Sequence, residues 1–271
     1  MTDLALDQVG YRYPGARDLA LDGIDLRIAT GERVALVGQN GSGKTTLVRH
    51  LNGLLRPTTG RVLHDGADVR PRTVAQLARS VGLVFQDPDR QIFSGSVRAE
   101  VEFGPRNLSL RGAELHAAVD DAITAVGLGD EKGTNPYDLG ASRRKLLALA
   151  SVLAMRTPVL VLDEPTTGQD LRGVEIVRQV IDEASAAGRT VIAISHDMEF
   201  VAAAFDRVVV MRGGRILLDG APSTVFAEGA WEALRSSYLE PPLAAIAGAR
   251  LGLGSTPTDG ALLSALGGSA P

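Results

Sequence analysis

The nine residues GQNGSGKTT at 38–46 have the glycines, lysine and threonine of a phosphate-binding loop, spaced as G-x-x-x-x-G-K-[ST]. Glycines in such a loop let consecutive backbone N–H groups converge on phosphate oxygens, and the N-terminus of a following helix adds partial positive charge. We predict that Lys44 neutralises the β- and γ-phosphates of a nucleotide and that the hydroxyl of Thr45 is a Mg²⁺ ligand. The preceding GERVALVG predicts a strand and the following residues predict a helix, which is the context that this motif requires.

A glycine-rich turn with a surface lysine is the alternative interpretation of this segment. Only three of the 28 lysine and arginine residues are lysines, at positions 44, 132 and 145, so a lysine in this chain is more informative than usual. Together with the strand–loop–helix context, this scarcity favours the phosphate-binding interpretation.

Two acidic residues end a second apolar strand, VLVLDE at 159–164. Open α/β sheets bind ligands at the C-terminal ends of their strands, so these carboxyl groups are expected beside the phosphate-binding loop. There Asp163 can hold Mg²⁺ and Glu164 can polarise an attacking water. The alternative is a strand that simply enters an acidic turn. His196 ends a third predicted strand, VIAIS, from which it can reach the γ-phosphate, although a lone histidine is more often structural.

The elements that must position these residues predict an α/β fold. Strands alternate with helices, which indicates a mainly parallel sheet covered on both faces. We assign residues 1–86 and 157–221 to this core and, because the first thirty residues alternate with period two, expect an N-terminal antiparallel β subdomain within it. Helical spacing over 87–156 predicts a helical insertion. For 222–271 we expect a small C-terminal helical appendage; the alternative is a partly disordered tail.

The composition of the chain is that of an ordinary globular protein: of its 271 residues, 45% are hydrophobic and 22% are charged. The net charge of −4 argues against a protein that binds nucleic acid over its whole surface. The absence of cysteine excludes disulfides and thiolate metal sites. The start, MTDLALDQVG, has no basic n-region and no apolar h-region, and no stretch approaches 18 uninterrupted apolar residues, so neither a signal peptide nor a membrane span is expected. A function at a membrane therefore requires partners.

In their order and spacing, these motifs resemble the ATP-binding subunits of ABC transporters over about residues 4–222. The resemblance implies a P-loop NTPase fold, with Tyr13 of YRYPG stacked on adenine, Gln86 after VGLVF sensing Mg²⁺ and water, and Asp170 of TGQD in the D-loop. It also implies that Glu164, Lys44 and His196 carry the catalysis and that Mg²⁺ accompanies ATP, held by Thr45, Gln86 and Asp163. The implied ATP-binding residues are Tyr13, Gly38, Gln39, Asn40, Gly41, Ser42, Gly43, Lys44, Thr45, Thr46 and Gln86.

The segment LGASRRK at 139–145 lies where the family has the signature Leu-Ser-Gly-Gly-Gln at the start of a helix. Gly140, Ala141, Ser142 and Arg143 replace the last four of these residues. In the family the signature closes over the γ-phosphate bound to a partner subunit. Here the hydroxyl is lost from the second position, and side chains at both glycine positions crowd the approach of the backbone. The segment is interpreted as a divergent signature, and a plain helix start with solvated basic residues is the alternative.

A finer resemblance is to the ATPases of energy-coupling factor transporters, which import vitamins and transition-metal ions. Its specific part is QDPDRQIF followed by EVEFGPRNL within residues 81–108. It implies an ATPase peripheral to the cytoplasmic face of the cell membrane, and its partners are a transmembrane coupling protein, a substrate-binding membrane subunit and a second ATPase. We favour a heterodimer of ATPases, with contact through the C-terminal appendage, and no nucleic-acid partner. The alternatives are the ATPase of another ABC importer and an ABC ATPase without a role in transport.

Asp87 and Asp89 allow two interpretations. The resemblance places them where a membrane partner docks, so they can receive basic residues from its cytoplasmic helices. Equally, they can cap the segment that follows them.

Overall fold

The computed structural model describes residues 2–267, which contain ten β-strands and eleven α-helices. The strands are β1 (Leu4–Tyr11), β2 (Leu21–Ile28), β3 (Arg33–Val37), β4 (Thr59–His64), β5 (Ala67–Asp68), β6 (Val81–Val84), β7 (Val159–Asp163), β8 (Thr190–Ile194), β9 (Arg207–Arg212) and β10 (Arg215–Gly220). The helices are α1 (Lys44–Leu51), α2 (Val74–Leu77), α3 (Val97–Asn107), α4 (Gly112–Ala125), α5 (Ala141–Leu153), α6 (Leu171–Ala186), α7 (Met198–Ala204), α8 (Pro222–Val225), α9 (Trp231–Ser236), α10 (Leu243–Arg250) and α11 (Asp259–Gly267).

The smaller sheet is antiparallel and has the strand order β2-β1-β4-β5. Its central strand β1 pairs with β2 in a register that places Leu4 opposite Ile28, and with β4 in one that places Leu4 opposite His64. In β2, Ile24, Leu26 and Ile28 face the core between exposed residues, as the period-two pattern predicts. This confirms the N-terminal antiparallel subdomain.

The larger sheet has the order β10-β9-β3-β8-β7-β6. All neighbours from β9 to β6 are parallel, and β10 joins antiparallel to β9 through a turn at Gly213 and Gly214. The central strands are almost wholly apolar and buried, as expected for a sheet covered on both faces. Because parallel strands end at one edge, Asp163 at the end of β7 lies at the same edge as Gly38, Gln86 and His196, which follow other strands.

Two apolar clusters hold the layers together. One lies between the sheets and includes Leu36, Leu47 and Ile192. The other lies on the opposite face of the larger sheet and includes Leu147 of α5 and Ile123 of α4. The helices α3, α4 and α5 pack against one another around the second cluster, which anchors the helical insertion to the sheet.

The helices α8 to α11 form the C-terminal appendage. Phe226 and Leu234 are fully buried in the second apolar cluster, so the appendage is anchored to the core of the protein. By contrast, Leu243, Leu251 and Leu263 are 60–72% exposed. The last four residues of the predicted appendage, 268–271, lie outside the described part of the chain.

The predicted α/β class with a mainly parallel sheet, a helical insertion and a helical appendage is confirmed, whereas the domain limits stay predictions. The strands are shorter than the apolar runs indicated: β7 ends at Asp163, and β8 ends two residues before His196. Glu164 has φ 54°, a left-handed conformation that a strand does not continue through. Within residues 2–267, no helix combines the length and the apolar character that crossing a membrane requires.

Candidate functional site

The phosphate-binding loop connects β3 to α1, and its shape depends on glycine. Gly38 has φ 147°, and a Cβ there would lie 2.2 Å from the carbonyl oxygen of Met211. Gly43 has φ 105°, and a Cβ there would lie 2.6 Å from the carbonyl oxygen of Ala20. Both positions therefore exclude any side chain, and the loop curls tightly around the start of α1.

The side chain of Lys44 is enclosed by this loop and is 7% exposed. Its Nζ donates hydrogen bonds to the carbonyl oxygens of Gly38 at 2.6 Å and of Gln39 at 2.9 Å, and it lies 3.5 Å from Oγ of Ser42. Burial lowers the pKa of Lys44, and the carboxylates of Glu164 and Asp163 oppose that shift. Backbone carbonyl oxygens thus hold the Lys44 ammonium inside the loop, the region where such loops bind phosphate groups.

Thr45 and Asp163 meet at the end of β7. The Thr45 hydroxyl donates to Oδ2 of Asp163 at 3.1 Å and lies 3.4 Å from Oδ1. Burial, together with the neighbouring carboxylate of Glu164, raises the pKa of Asp163, while the Thr45 hydrogen bond lowers it. A buried carboxylate beside a hydroxyl is the hard-oxygen ligand set that Mg²⁺ prefers, so these residues fit the cation that the sequence predicts.

No group of three or more histidine, aspartate and glutamate side chains within residues 2–267 is arranged to hold a metal ion. A Mg²⁺ ion at Thr45 and Asp163 therefore has to take further ligands from water and from nucleotide phosphates, which is its usual mode of binding. Gln86, the third predicted ligand, lines the same cavity.

Glu164 is 8% exposed and accepts two hydrogen bonds at one oxygen. Nδ1 of His196 lies 2.7 Å from Oε2 of Glu164, and the hydroxyl of Thr167 donates to the same oxygen at 3.0 Å. Because a carboxylate only accepts, Nδ1 carries the proton in this pair. The backbone N–H of Glu164 donates to the carbonyl of Ile194 at 3.0 Å, which fixes this position to the end of β8. Both ends of the residue are therefore held in place.

Tyr13 lies beside the phosphate-binding loop and the start of α1. Its hydroxyl lies 3.0 Å from Oγ1 of Thr46, and its ring meets the ring of Tyr11 edge to face at 4.9 Å between centroids. Tyr13 is 37% exposed and lines the cavity described next, which is compatible with a contact to adenine. A cavity of about 220 Å³ is bounded by the side chains and loop segments predicted for ATP: Tyr13, Asn40, Gly41, Gly43, Lys44, Thr45, Thr46, Gln86, Asp163 and Glu164.

The segment interpreted as a divergent signature lies at the N-terminus of α5. Gly140 is the N-cap residue without a side-chain cap, and Ala141 begins the helix. Oγ of Ser142 donates to Oε1 of Gln169 at 2.5 Å, and Nε2 of Gln169 donates to the carbonyl of Ser142 at 3.2 Å. Arg143 forms an ion pair with Glu131. The signature side chains are thus engaged by other residues of their own chain.

Asp170 caps α6, where its Oδ1 accepts from the backbone N–H of Gly173 at 2.7 Å. Asp87 likewise caps a short 3₁₀ helix, Pro88–Arg90, by accepting from the backbone N–H of Asp89. Of the two interpretations of Asp87, capping is therefore observed. Asp89 lies 3.4 Å from Nε of Arg144 and is 55% exposed at its side chain, so it remains accessible to a partner.

Four residues near the site were not among the predicted site residues. Gln91 joins the segment after Gln86 to α5 through hydrogen bonds to the carbonyl of Ala148 and the hydroxyl of Ser151. The others are Lys145, Thr167 and Gln169. All four had some signal in the sequence: lysine is scarce in this chain, Thr167 and Gln169 belong to TGQD, and Gln91 belongs to QDPDRQIF.

Comparison with known proteins agrees with this geometry. Residues 21–167 match the sequence profile of the ABC transporter family. The chain is 41% identical over 242 residues to the cobalt import ATP-binding protein CbiO of Rhodobacter capsulatus, covering 89% of this chain and 85% of that protein. It is 38% identical over 241 residues to the energy-coupling factor transporter ATP-binding protein EcfA of Methanothermobacter thermautotrophicus, covering 88% and 76%.

Another relative is longer. A putative ABC transporter ATP-binding protein of Methanosarcina acetivorans is 42% identical over 240 residues, and the chain spans 39% of its length. Among solved structures, CbiO1 from Clostridium perfringens, described as part of an ABC transporter complex, superimposes with a TM-score of 0.75 at 38% identity, covering 86% of this chain and 93% of that one.

Proposed function

The chain belongs to the ABC transporter family of ATP-binding proteins, and from this premise we propose that it hydrolyses ATP to energise a membrane importer. The observation that carries the proposal is the convergence of Lys44, Thr45, Asp163 and Glu164 on one cavity of about 220 Å³. Relatives named for cobalt import and for energy-coupling factor transport favour a transition-metal ion or a vitamin as the cargo.

The predicted site residues in and beside the cavity have distinct proposed roles. Lys44 and the backbone N–H groups of residues 38–46 bind the phosphates, and Tyr13 stacks on the adenine. Thr45, Gln86 and Asp163 hold Mg²⁺, which when bound neutralises charge on the phosphates. Glu164 orients and deprotonates the attacking water, as a positioned carboxylate can. His196, paired with Glu164 and exposed at its other side, faces the γ-phosphate.

We propose further that this chain works beside a different ATPase rather than a second copy of itself. Family sites combine the phosphate-binding loop of one subunit with the signature of another. In this chain Ser142 is hydrogen-bonded to Gln169, and Arg143 forms an ion pair with Glu131. Arg144 donates to the carbonyl of Leu139 at 3.0 Å. Replacing lost signature contacts with Arg143 would require breaking this partly exposed ion pair, which costs at most about 1 kcal/mol.

The exposed leucines of α10 and α11 support a contact between the two ATPases at the appendage. Leu243, Leu251 and Leu263 are 60–72% exposed in a segment that is otherwise anchored to the core. Several large, exposed apolar side chains on a small appendage are compatible with an interaction surface.

The membrane partner is proposed to dock between Gln86 and the helical insertion. A second cavity of about 600 Å³ opens there, lined by Leu54, Phe85 and Arg90 among others. Phe93 and Phe103, which are 60% and 49% exposed, stack edge to face on the insertion. Aromatic side chains are enriched in protein interfaces, so this surface fits a transmembrane coupling protein that in turn contacts a substrate-binding membrane subunit.

Co-expression with neighbouring genes that encode polytopic membrane proteins tests this function. We expect the chain to enter the membrane fraction with them and to leave it when Phe93 and Phe103 are both replaced by serine, a change at exposed positions that preserves the core. Persistent absence from the membrane fraction despite such neighbours would favour an ABC ATPase outside transport. The net charge of −4 does not favour a nucleic-acid partner for such a protein.

A further inference from the structure

Lys145 lies on α5, three residues after Ser142, with its ammonium directed at the loop of residues 165–170. Nζ of Lys145 donates to the carbonyl oxygen of Thr167 at 2.6 Å. The residue is half-buried, and it shares a narrow cleft with Gln86, Glu164 and Gln169. A cation thus lies in the same cleft as the proposed catalytic carboxylate.

Thr167 connects this cation to Glu164. Its backbone carbonyl accepts from Lys145, and its side-chain hydroxyl donates to Oε2 of Glu164 at 3.0 Å. The same loop is held to α5 a second time by the paired hydrogen bonds between Ser142 and Gln169. Its far end is fixed by the Asp170 cap on α6. The position of the Glu164 carboxylate therefore depends on a loop that α5 holds at two points.

Two opposing effects act on the protonation of Lys145. Burial lowers the pKa of Lys145, and the carboxylates of Glu164, Asp163 and Asp87 oppose that shift. An ammonium half-removed from water needs polar partners to replace its hydration, and the Thr167 carbonyl is such a partner. Arginine could replace the charge, whereas methionine would keep only the length of the side chain.

We propose that Lys145 is a positioning residue for ATP hydrolysis: its ammonium fixes the loop of residues 165–170 and, through Thr167, the carboxylate of Glu164. The inference rests on the proposed role of Glu164. Lys145 does not touch the cavity that holds the nucleotide, so its effect falls on turnover rather than on binding.

The variants Lys145→Met and Lys145→Arg in the assembled, purified transporter test it. We expect Lys145→Met to lower kcat about 10- to 100-fold, because displacement of a catalytic group by about 1 Å costs up to about 100-fold, and to leave KM for MgATP within about twofold. Lys145→Arg should restore most of the turnover. Lys132→Met is the matched control, since Lys132 pairs with Asp120 on α4, away from the nucleotide cavity, and its variant should retain the parental kcat.

Two further measurements separate positioning from general stabilisation. In a Glu164→Gln background, Lys145→Met should not lower residual single-turnover hydrolysis further, because the group that it positions is gone. Hydrogen exchange should accelerate over residues 165–170 in Lys145→Met and remain unchanged elsewhere in the chain.

An unchanged kcat in Lys145→Met, or an equal loss in the Glu164→Gln background, would overturn the inference. A parental transporter whose hydrolysis does not depend on Glu164 would instead contradict the proposed function. In that case the exchange measurement still decides whether Lys145 fixes the loop.

Discussion

Nδ1 of His196 lies 2.7 Å from Oε2 of Glu164, so the two side chains proposed for hydrolysis form one hydrogen-bonded pair. This pairing orients the carboxylate from one side, and the hydroxyl of Thr167 orients it from the other. A carboxylate held by two donors at a single oxygen leaves its second oxygen for the attacking water.

Glu164→Gln preserves the shape of this arrangement and removes its basicity. We expect hydrolysis to fall by about 10²–10⁴-fold, the usual contribution of a positioned base, while MgATP still binds. Turnover in the assembled complex and nucleotide affinity of the purified chain check the two halves of this expectation. Glu175→Gln serves as the control, because Glu175 lies on the exposed face of α6 and pairs with Arg178. Parental turnover in Glu164→Gln would show that another group is the base.

Lys44→Ala should weaken nucleotide binding itself. The ammonium is enclosed by the phosphate-binding loop, and a hydrogen bond to a charged group contributes about 1.5–3 kcal/mol, so affinity should fall by roughly 10- to 150-fold. Titration of the purified chain with a fluorescent ATP analogue measures the change, with Lys132→Ala as the variant expected to bind normally. Equal affinities of the two variants would remove Lys44 from the phosphate site.

Two substitutions at Tyr13 separate stacking from hydrogen bonding. Tyr13→Phe keeps the ring and loses only the contact with Thr46, so ATP should bind almost as in the parent. Tyr13→Ala loses the ring, and since stacking of a base on an aromatic side chain contributes about 1–3 kcal/mol, affinity should fall by roughly 5- to 150-fold. If Tyr13→Ala binds ATP as well as Tyr13→Phe does, the adenine lies elsewhere.

An asymmetric pair of ATPases predicts unequal effects of the two catalytic acids. In the proposed pair, the site that contains Glu164 would face the partner's signature, whereas the partner's own site would face residues 140–143. Loss of Glu164 should abolish most turnover, and loss of the partner's equivalent acid should matter less. Turnover of each single variant in the purified complex measures this, and equal losses would contradict the asymmetry, as would a fully active complex in which this chain is the sole ATPase.

Restoring the signature provides the converse experiment. The combined change Gly140→Ser, Ala141→Gly, Ser142→Gly and Arg143→Gln should make the partner's acid matter as much as Glu164 does. The backbone tolerates a side chain at Gly140, because no atom lies within 4 Å of a Cβ built there. A restored chain that still shows a dominant dependence on Glu164 would place the origin of the asymmetry outside the signature.

The parts of the fold that follow local rules could be predicted from the sequence. The loop at Gly38 and Gly43, the apolar strands and the helix at Ala141 depend on backbone conformation and periodicity, which neighbouring residues encode. The ends of the strands could not be predicted as closely, because the apolar run through Asp163 does not show that the backbone of Glu164 has a positive φ. The partners of Lys145 and Ser142 could not be predicted, since both lie more than twenty residues away along the chain and meet these side chains only through tertiary packing.

The left-handed backbone at Glu164 implies that thermodynamic stability and activity favour different residues at this position. A non-glycine residue in that conformation costs about 1–2 kcal/mol, which glycine would not incur. Glu164→Gly should therefore release conformational strain at the same time as it removes the carboxylate. A melting temperature that does not fall, in a protein that no longer turns over ATP, would mark this residue as one retained for its chemistry at the expense of folding free energy.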